Sequence, residues 1–434
     1  MLGKNVHNLV VDNNRFSGQQ KDIVLIGTGD TPQSARILDN YFLGSANTSS
    51  AVEVAWSSTA MDHLHLQGNR VTGGHRGFVI TGEHEGGMEI SLVNNTIMNT
   101  TDDGVFVDML FRGALQEENR RTNLISLVGN QITQSGGRNV YLGVEQVQTD
   151  RLKIAALDNR FDHAGGNGIE LYVRGKLPEG DVSEIVMQYD RNRADANGGH
   201  GMHVISTNLA HFELRMQDNQ FNGNGADGFH ARHHSFREAL ARIESSVANN
   251  NQGGGFQLNY NGYLPTVSFR EVKASDNGGD GIRVRVDESI LASTVFTDVE
   301  VNNNTGSGLS VLLNAEAIAS CGTVDTPNQI RANGNAADGV SVQILSAMFA
   351  EHSTQSIIAN SNGGHGVHLD FSDAQSLFNR IGYVDANANA GYGINVLLDP
   401  GIIFVDAPFF TIDSSSFSGN SLGNVLITGA PTFP

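Results

Sequence analysis

Five stretches decide the fold: GGDGIRVRV (278–286), GSGLSVLL (306–313), AADGVSVQI (336–344), GGHGVHLDF (363–371) and AGYGINVLL (390–398). Each sets a Gly before apolar residues at alternate positions. A period of two places successive side chains on opposite faces of a strand. In the earlier copy GNGIELYV (166–173), Ile169, Leu171 and Val173 are expected inward, with Glu170, Tyr172 and Arg174 outward. Further copies are DDGVFVDM (102–109), GHGMHVIS (199–206), ADGFHARH (226–233) and GGGFQLNY (253–260). Gly201, Gly228, Gly255, Gly281 and Gly308 recur at about 27 residues, a period that marks a stacked solenoid.

A second apolar-alternating strand precedes each Gly turn, as in HFELRMQDNQF (211–221), TVSFREVKASDN (266–277) and STVFTDVEVNNN (293–304), and each runs into Asn or Asp. Asn14, Asn40, Asn69, Asn95, Asn130, Asn159 and Asn219 each open an Asn-x-(Phe/Val/Ile) turn; later copies read Ala-Asn-x-Asn at 332–335, 359–362 and 386–389. Asn tolerates a left-handed bend and can bond the equivalent amide one coil away. The Gly is expected to supply a positive φ at the entry to the next strand. LPEGDVSE (177–184) and FREALAR (236–242) are the expected loop or short-helix segments.

NNNTGSGLSV, SDNGGDGIRVRV and SNGGHGVHLD resemble the repeats of right-handed parallel β-helix proteins, the pectate-lyase-like superfamily. The likeness runs from residue 6 to 428 and implies an all-β, right-handed parallel β-helix of about fifteen coils. It also implies a range of roles, from uronate lyases, hydrolases and epimerases to tailspikes and non-catalytic adhesins, among which fold cannot choose.

Composition narrows that range. The 434 residues carry 51 Gly, 8 Pro and 17% charged side chains, with no linker-like composition shift. One domain over 1–434 is therefore expected, and because the repeat starts within the first residues, the chain reads as a segment of a longer polypeptide. A net charge of −19 repels nucleic acid and anionic membrane surfaces. No apolar run is long enough to span a bilayer, so no membrane insertion is expected. Cys321 is the only cysteine, which rules out an internal disulfide framework or a Cys-based zinc site. An extracellular or cell-surface setting is the expectation.

Two fragments resemble polygalacturonase segments: TTDDGVFVD (100–108), with Asp102 and Asp103 as an acid-base pair, and NGGHGMHV (197–204), with His200 beside it. Coils near residues 139 and 168 intervene, however, putting about 14 Å between the two motifs. Both strings recur elsewhere as ordinary turns. A pectate-lyase-like site, with a basic residue facing clustered acids, is only faintly matched by Arg283 and Arg285 near Asp287.

The strongest outward cluster lies between the coils at 168 and 281. It comprises Glu170 and Tyr172, then His203, then His230 and Arg232, then Gln257 and Asn259, then Arg283 and Arg285, with His233 and His234 adding imidazoles. Aromatic and guanidinium groups suit a sugar chain through stacking and bidentate hydrogen bonds. The candidate ligand-binding residues are therefore Glu170, Tyr172, His203, His230, Arg232, Arg283 and Arg285, with no metal set and no cofactor expected. Beyond residue 308 the strip turns mostly small and neutral, through Ser310, Ser341, His368 and Asn395. The leading expectation is a non-catalytic β-helix rod with polysaccharide as partner; a polysaccharide-active enzyme and a fibre shaft are the alternatives. Exposed terminal strand edges also favour end-to-end or homo-oligomeric association.

Overall fold

The computed structural model describes residues 1–17, 21–44, 50–112, 122–147, 151–176, 184–322, 329–404 and 415–429. Among them there is no helix, and about fourteen turns of stacked parallel strands form a right-handed parallel β-helix. Contacts divide the chain into two compact units, residues 1–225 with 234–236, and residues 226–233 with 237–434.

In the first unit, Val140–Val147 pairs in parallel with Val105–Phe111 on one side and Ile169–Lys176 on the other, keeping Phe106, Tyr141 and Glu170 in one outward column. In the second, Ile282–Thr297 lies between Phe256–Arg270 and Leu309–Gly322. Ile169, Leu171, Val173, Ile282, Val284 and Val311 are all buried, while Arg174, Arg283 and Arg285 are exposed. The period-two alternation thus sorts core from face as read from sequence.

FREALAR is not helical. Residues 236–242 lie inside the strand Phe229–Glu244, where Ala239 and Ala241 are buried while Glu238 and Arg242 are exposed. Good helix formers yield here to the strand pairing imposed by the stack. Of LPEGDVSE, residues 177–183 fall outside the described residues, and Glu184 opens the strand Glu184–Asp190.

The Asn positions form ladders. In the first unit the backbone N–H of Asn40 donates to Asn69 Oδ1, Asn69 to Asn95, Asn95 to Asn130, and so on through Asn159 and Asn192 to Asn219. Asn192 belongs to this ladder although Arg193 and Ala194 hide it from the Asn-x-apolar pattern. A second ladder at another corner links Asn197 to Asn224 in the first unit. In the second unit an equivalent run links Asn251, Asn277, Asn304, Asn335, Asn362, Asn389 and Asn420. The two sequence subtypes are these two corners.

The expected division of labour at the turns needs correcting. The repeat glycines do not have positive φ; that conformation falls on the residue before each ladder Asn, such as Asp39, Asn94, Ala196, Asp276, Ser361 and Ala388. The repeat Gly is needed for close approach instead. A Cβ on Gly308 would stand 2.7 Å from both Asn335 Nδ2 and the Gly339 carbonyl oxygen, and Gly281, Gly339 and Gly366 meet the same two neighbours of their next coils within 2.8 Å. The Asn ladder and the Gly column therefore occupy one crowded seam.

Candidate functional site

The residue before each repeat Gly and the outward residue three positions later form adjacent columns, with a third column two residues further on. In the first unit these hold Asp103, Phe106 and Asp108; then Arg138, Tyr141 and Gly143; then Asn167, Glu170 and Tyr172; then His200, His203 and Ile205. Two coils stand between Asp103 and His200, as the spacing implied.

Asp102 and Asp103 are held by arginines. Arg138 donates Nε to Asp103 Oδ1 at 2.9 Å and an Nη to Oδ2 at 3.0 Å, and its other Nη reaches Glu170 Oε1 at 3.2 Å. Arg76 donates to Asp102 Oδ2 at 2.8 Å. Burial lowers the Arg138 pKa, but hydrogen bonds and charge from Asp103 and Glu170 outweigh it, so the net shift is upward. Asn167 Nδ2 donates to the remaining Glu170 oxygen at 2.8 Å. Glu170 is thus an anchored carboxylate.

These guanidiniums also cover rings. Phe106 and Tyr141 stack with centroids 5.0 Å apart, with Arg76 4.3 Å from the centre of one ring and Arg138 4.1 Å from the centre of the other. Beside this stack, Gly143 sits in register between Asp108 and Tyr172. A Cβ at Gly143 would stand 2.9 Å from the Tyr141 hydroxyl and 3.0 Å from Asp108 Oδ1. The missing side chain lets Tyr141 and Asp108 lean over the Gly143 backbone, with the 36%-exposed Tyr172 in register beside it. Burial, and secondly Asp108, raise the Tyr141 pKa, keeping it a hydroxyl donor at neutral pH. A Gly inside a strand commonly marks a close approach to the backbone, a signal that NVYLGVEQV carried and that sequence reasoning passed over.

In the second unit, His230 Nδ1 lies 2.6 Å from Asp227 Oδ2. A carboxylate only accepts, so Nδ1 carries the proton and Nε2 accepts from Arg232 Nε at 3.2 Å. Asp227 Oδ1 also accepts from the Gly254 N–H at 2.6 Å. A carboxylate-held imidazole is positioned for proton transfer or hydrogen bonding. Gln257 and Asn259 register with Arg283 and Arg285, and Arg285 pairs with Asp287 at 2.6 Å. Burial raises the Asp280 pKa, partly countered by hydrogen bonding from the Ser307 backbone and by Arg283. His233 does not join the outward strip; it is buried, 5.5 Å from the ring of Tyr260. His234 is exposed.

The structure also gathers residues that the sequence left as a bland tail. His368 registers with Ser341 and Asn395, and His365 and Tyr392 occupy the turn positions alongside. The His365 ring stacks on His368 at 5.5 Å and on Tyr392 at 5.7 Å.

No protein-family model and no curated protein matches the chain. Among solved structures, the A-module of mannuronan C-5 epimerase AlgE4 of Azotobacter vinelandii aligns over 95% of this chain and 91% of that one, with 14% identity and a TM-score of 0.36. The A-module of AlgE6 from the same organism aligns over 91% and 90%, with 12% identity and a TM-score of 0.23. The strand pairing of the chain itself carries the fold assignment.

Proposed function

We propose that this β-helix binds polysaccharide outside the cell or at its surface, along the outward columns that follow the repeat Gly. The patch around Gly143 carries the reading: an exposed Tyr172 ring lies in register beside Gly143, over which Tyr141 and Asp108 lean, a phenol donor and a carboxylate acceptor for sugar hydroxyls. The two arginines nearest it are already paired with Asp102, Asp103 and Glu170, and the net charge is −19, so a neutral polymer suits this patch better than a polyanion.

The test is a panel of neutral and uronate polysaccharides, reading binding together with release of reducing or unsaturated ends. Tyr172→Ala should weaken binding about tenfold, ~1.4 kcal/mol. Equal affinity for the variant and the parent chain would remove the Tyr172 patch from the function. A second reading, polysaccharide cleavage or epimerisation, is favoured by the Asp227–His230 pair. Product release that His230→Gln abolishes would establish it.

A further inference from the structure

A second site, within residues 237–434 of the second unit, follows from a chain of fixed protons. The Tyr392 backbone N–H donates to His365 Nδ1 at 2.9 Å. A backbone N–H can only donate, so His365 Nδ1 holds a lone pair and the ring's single proton sits on Nε2. That nitrogen lies 3.4 Å from one atom of the Asn395 side-chain amide, and the same atom lies 3.0 Å from His368 Nδ1. The two ends of an amide share one outline, so donor chemistry decides which faces the rings. Nδ2 in that place would oppose the His365 Nε2–H, donor against donor. Oδ1 in that place accepts from His365 Nε2–H and, equally, from His368 Nδ1–H.

We propose that this relay fixes the Nδ1–H tautomer of His368 and so holds its Nε2 lone pair outward, a base and nucleophile on the second unit that takes a hydrogen-bond-donating hydroxyl or an electrophile. His368 stands at an outward strand position, half-buried, and its Nε2 has no partner among the described residues. His365 and Asn395 are positioning residues; neither presents a lone pair to solvent. The same proton placement argues against metal binding at His365, whose Nε2 keeps its hydrogen. The hydroxyl as ligand rests on the carbohydrate reading above, whereas the proton assignment does not, so the two can fail separately.

The experiment uses the full chain. Long-range 1H–15N spectra with 15N-labelled histidine at pH 8 should show His365 protonated at Nε2 and His368 at Nδ1. Diethyl pyrocarbonate followed by peptide mass spectrometry should acylate His368 while sparing His365. Asn395→Leu should move the His368 proton to Nε2 and slow its acylation roughly threefold or more. Asn395→Asp keeps an oxygen between the rings and should preserve both readouts, which separates loss of the relay from loss of the fold. A proton on His368 Nε2 in the parent chain, or an unchanged tautomer and rate in Asn395→Leu, would overturn the proposal.

Discussion

His352 offers a measurement of how this core responds to acid. It is buried in the strand Phe349–Ile358, with Nδ1 2.8 Å from Asn379 Oδ1 and Nε2 3.0 Å from Thr354 Oγ1. The amide oxygen accepts from Nδ1–H and the threonine hydroxyl donates to Nε2, so the neutral ring is satisfied at both ends without a second proton. Burial lowers its pKa from 6.5 to about 4, partly countered by Asn379. Because the folded pKa lies below the unfolded one, the stabilisation is complete above pH 6.5 and is lost as pH falls towards 4. The full loss approaches ~3 kcal/mol, most of it by pH 4.5. The assay is urea unfolding of the parent chain and of His352→Gln at pH 8, 6 and 4.5. Carboxylates titrate in both proteins, so the difference between them isolates the imidazole. The parent should lose about 2–3 kcal/mol relative to the variant between pH 8 and 4.5. A difference that is the same at every pH would refute a buried neutral His352.

Three further outcomes test the turn and core assignments. Gly308→Ala should destabilise by about 2–4 kcal/mol, because a Cβ 2.7 Å from Asn335 and Gly339 must push adjacent coils apart; an unchanged melt would mean that the seam is not close-packed. Ala388→Gly should raise stability by up to ~1 kcal/mol, since φ is 55° there; a lower melting temperature would show that the Ala388 methyl matters more than the strain. Ile282→Asp should abolish or severely lower folding, by about 4 kcal/mol or more, whereas Arg283→Asp should stay within ~1 kcal/mol; comparable melts for the two would contradict the inward and outward sorting.

The fold was legible because one short pattern repeats, so that each ambiguous copy is supported by its neighbours in register. The turn chemistry was only half legible. Asn and Gly were visible, but that the repeat Gly serves close approach, while the residue before each ladder Asn bears the positive φ, depends on how closely the coils pack, and no single coil contains that distance. FREALAR misled because its local preference is helical while its pairing partners lie about a coil away. The outward sorting of Glu170, Tyr172, Arg283 and Arg285 followed from alternation, but contacts across coils did not. The Arg138–Asp103 pair joins residues 35 apart, and the His365–Asn395 contact residues 30 apart. His233 was misplaced outward because it sits where the alternation of ADGFHARHH carries it inward, behind the more conspicuous His230 and Arg232.

The exchange of one Asn corner for the other limits how this chain can be lengthened or shortened. Within the later stretch, Asn335, Asn362 and Asn389 are spaced by 27 residues and make the same bonds, so one whole period is interchangeable with the next. Excising residues 336–362 should rejoin Asn335 to Asn389 with every ladder bond remade. At 192–197 and 219–224, by contrast, both corners carry Asn and hand over from one to the other. Removing both of those coils would take out the overlap through which one ladder hands over to the other. The molecule is a tape that can be spliced freely on one side of its changeover and only with a matching splice across it.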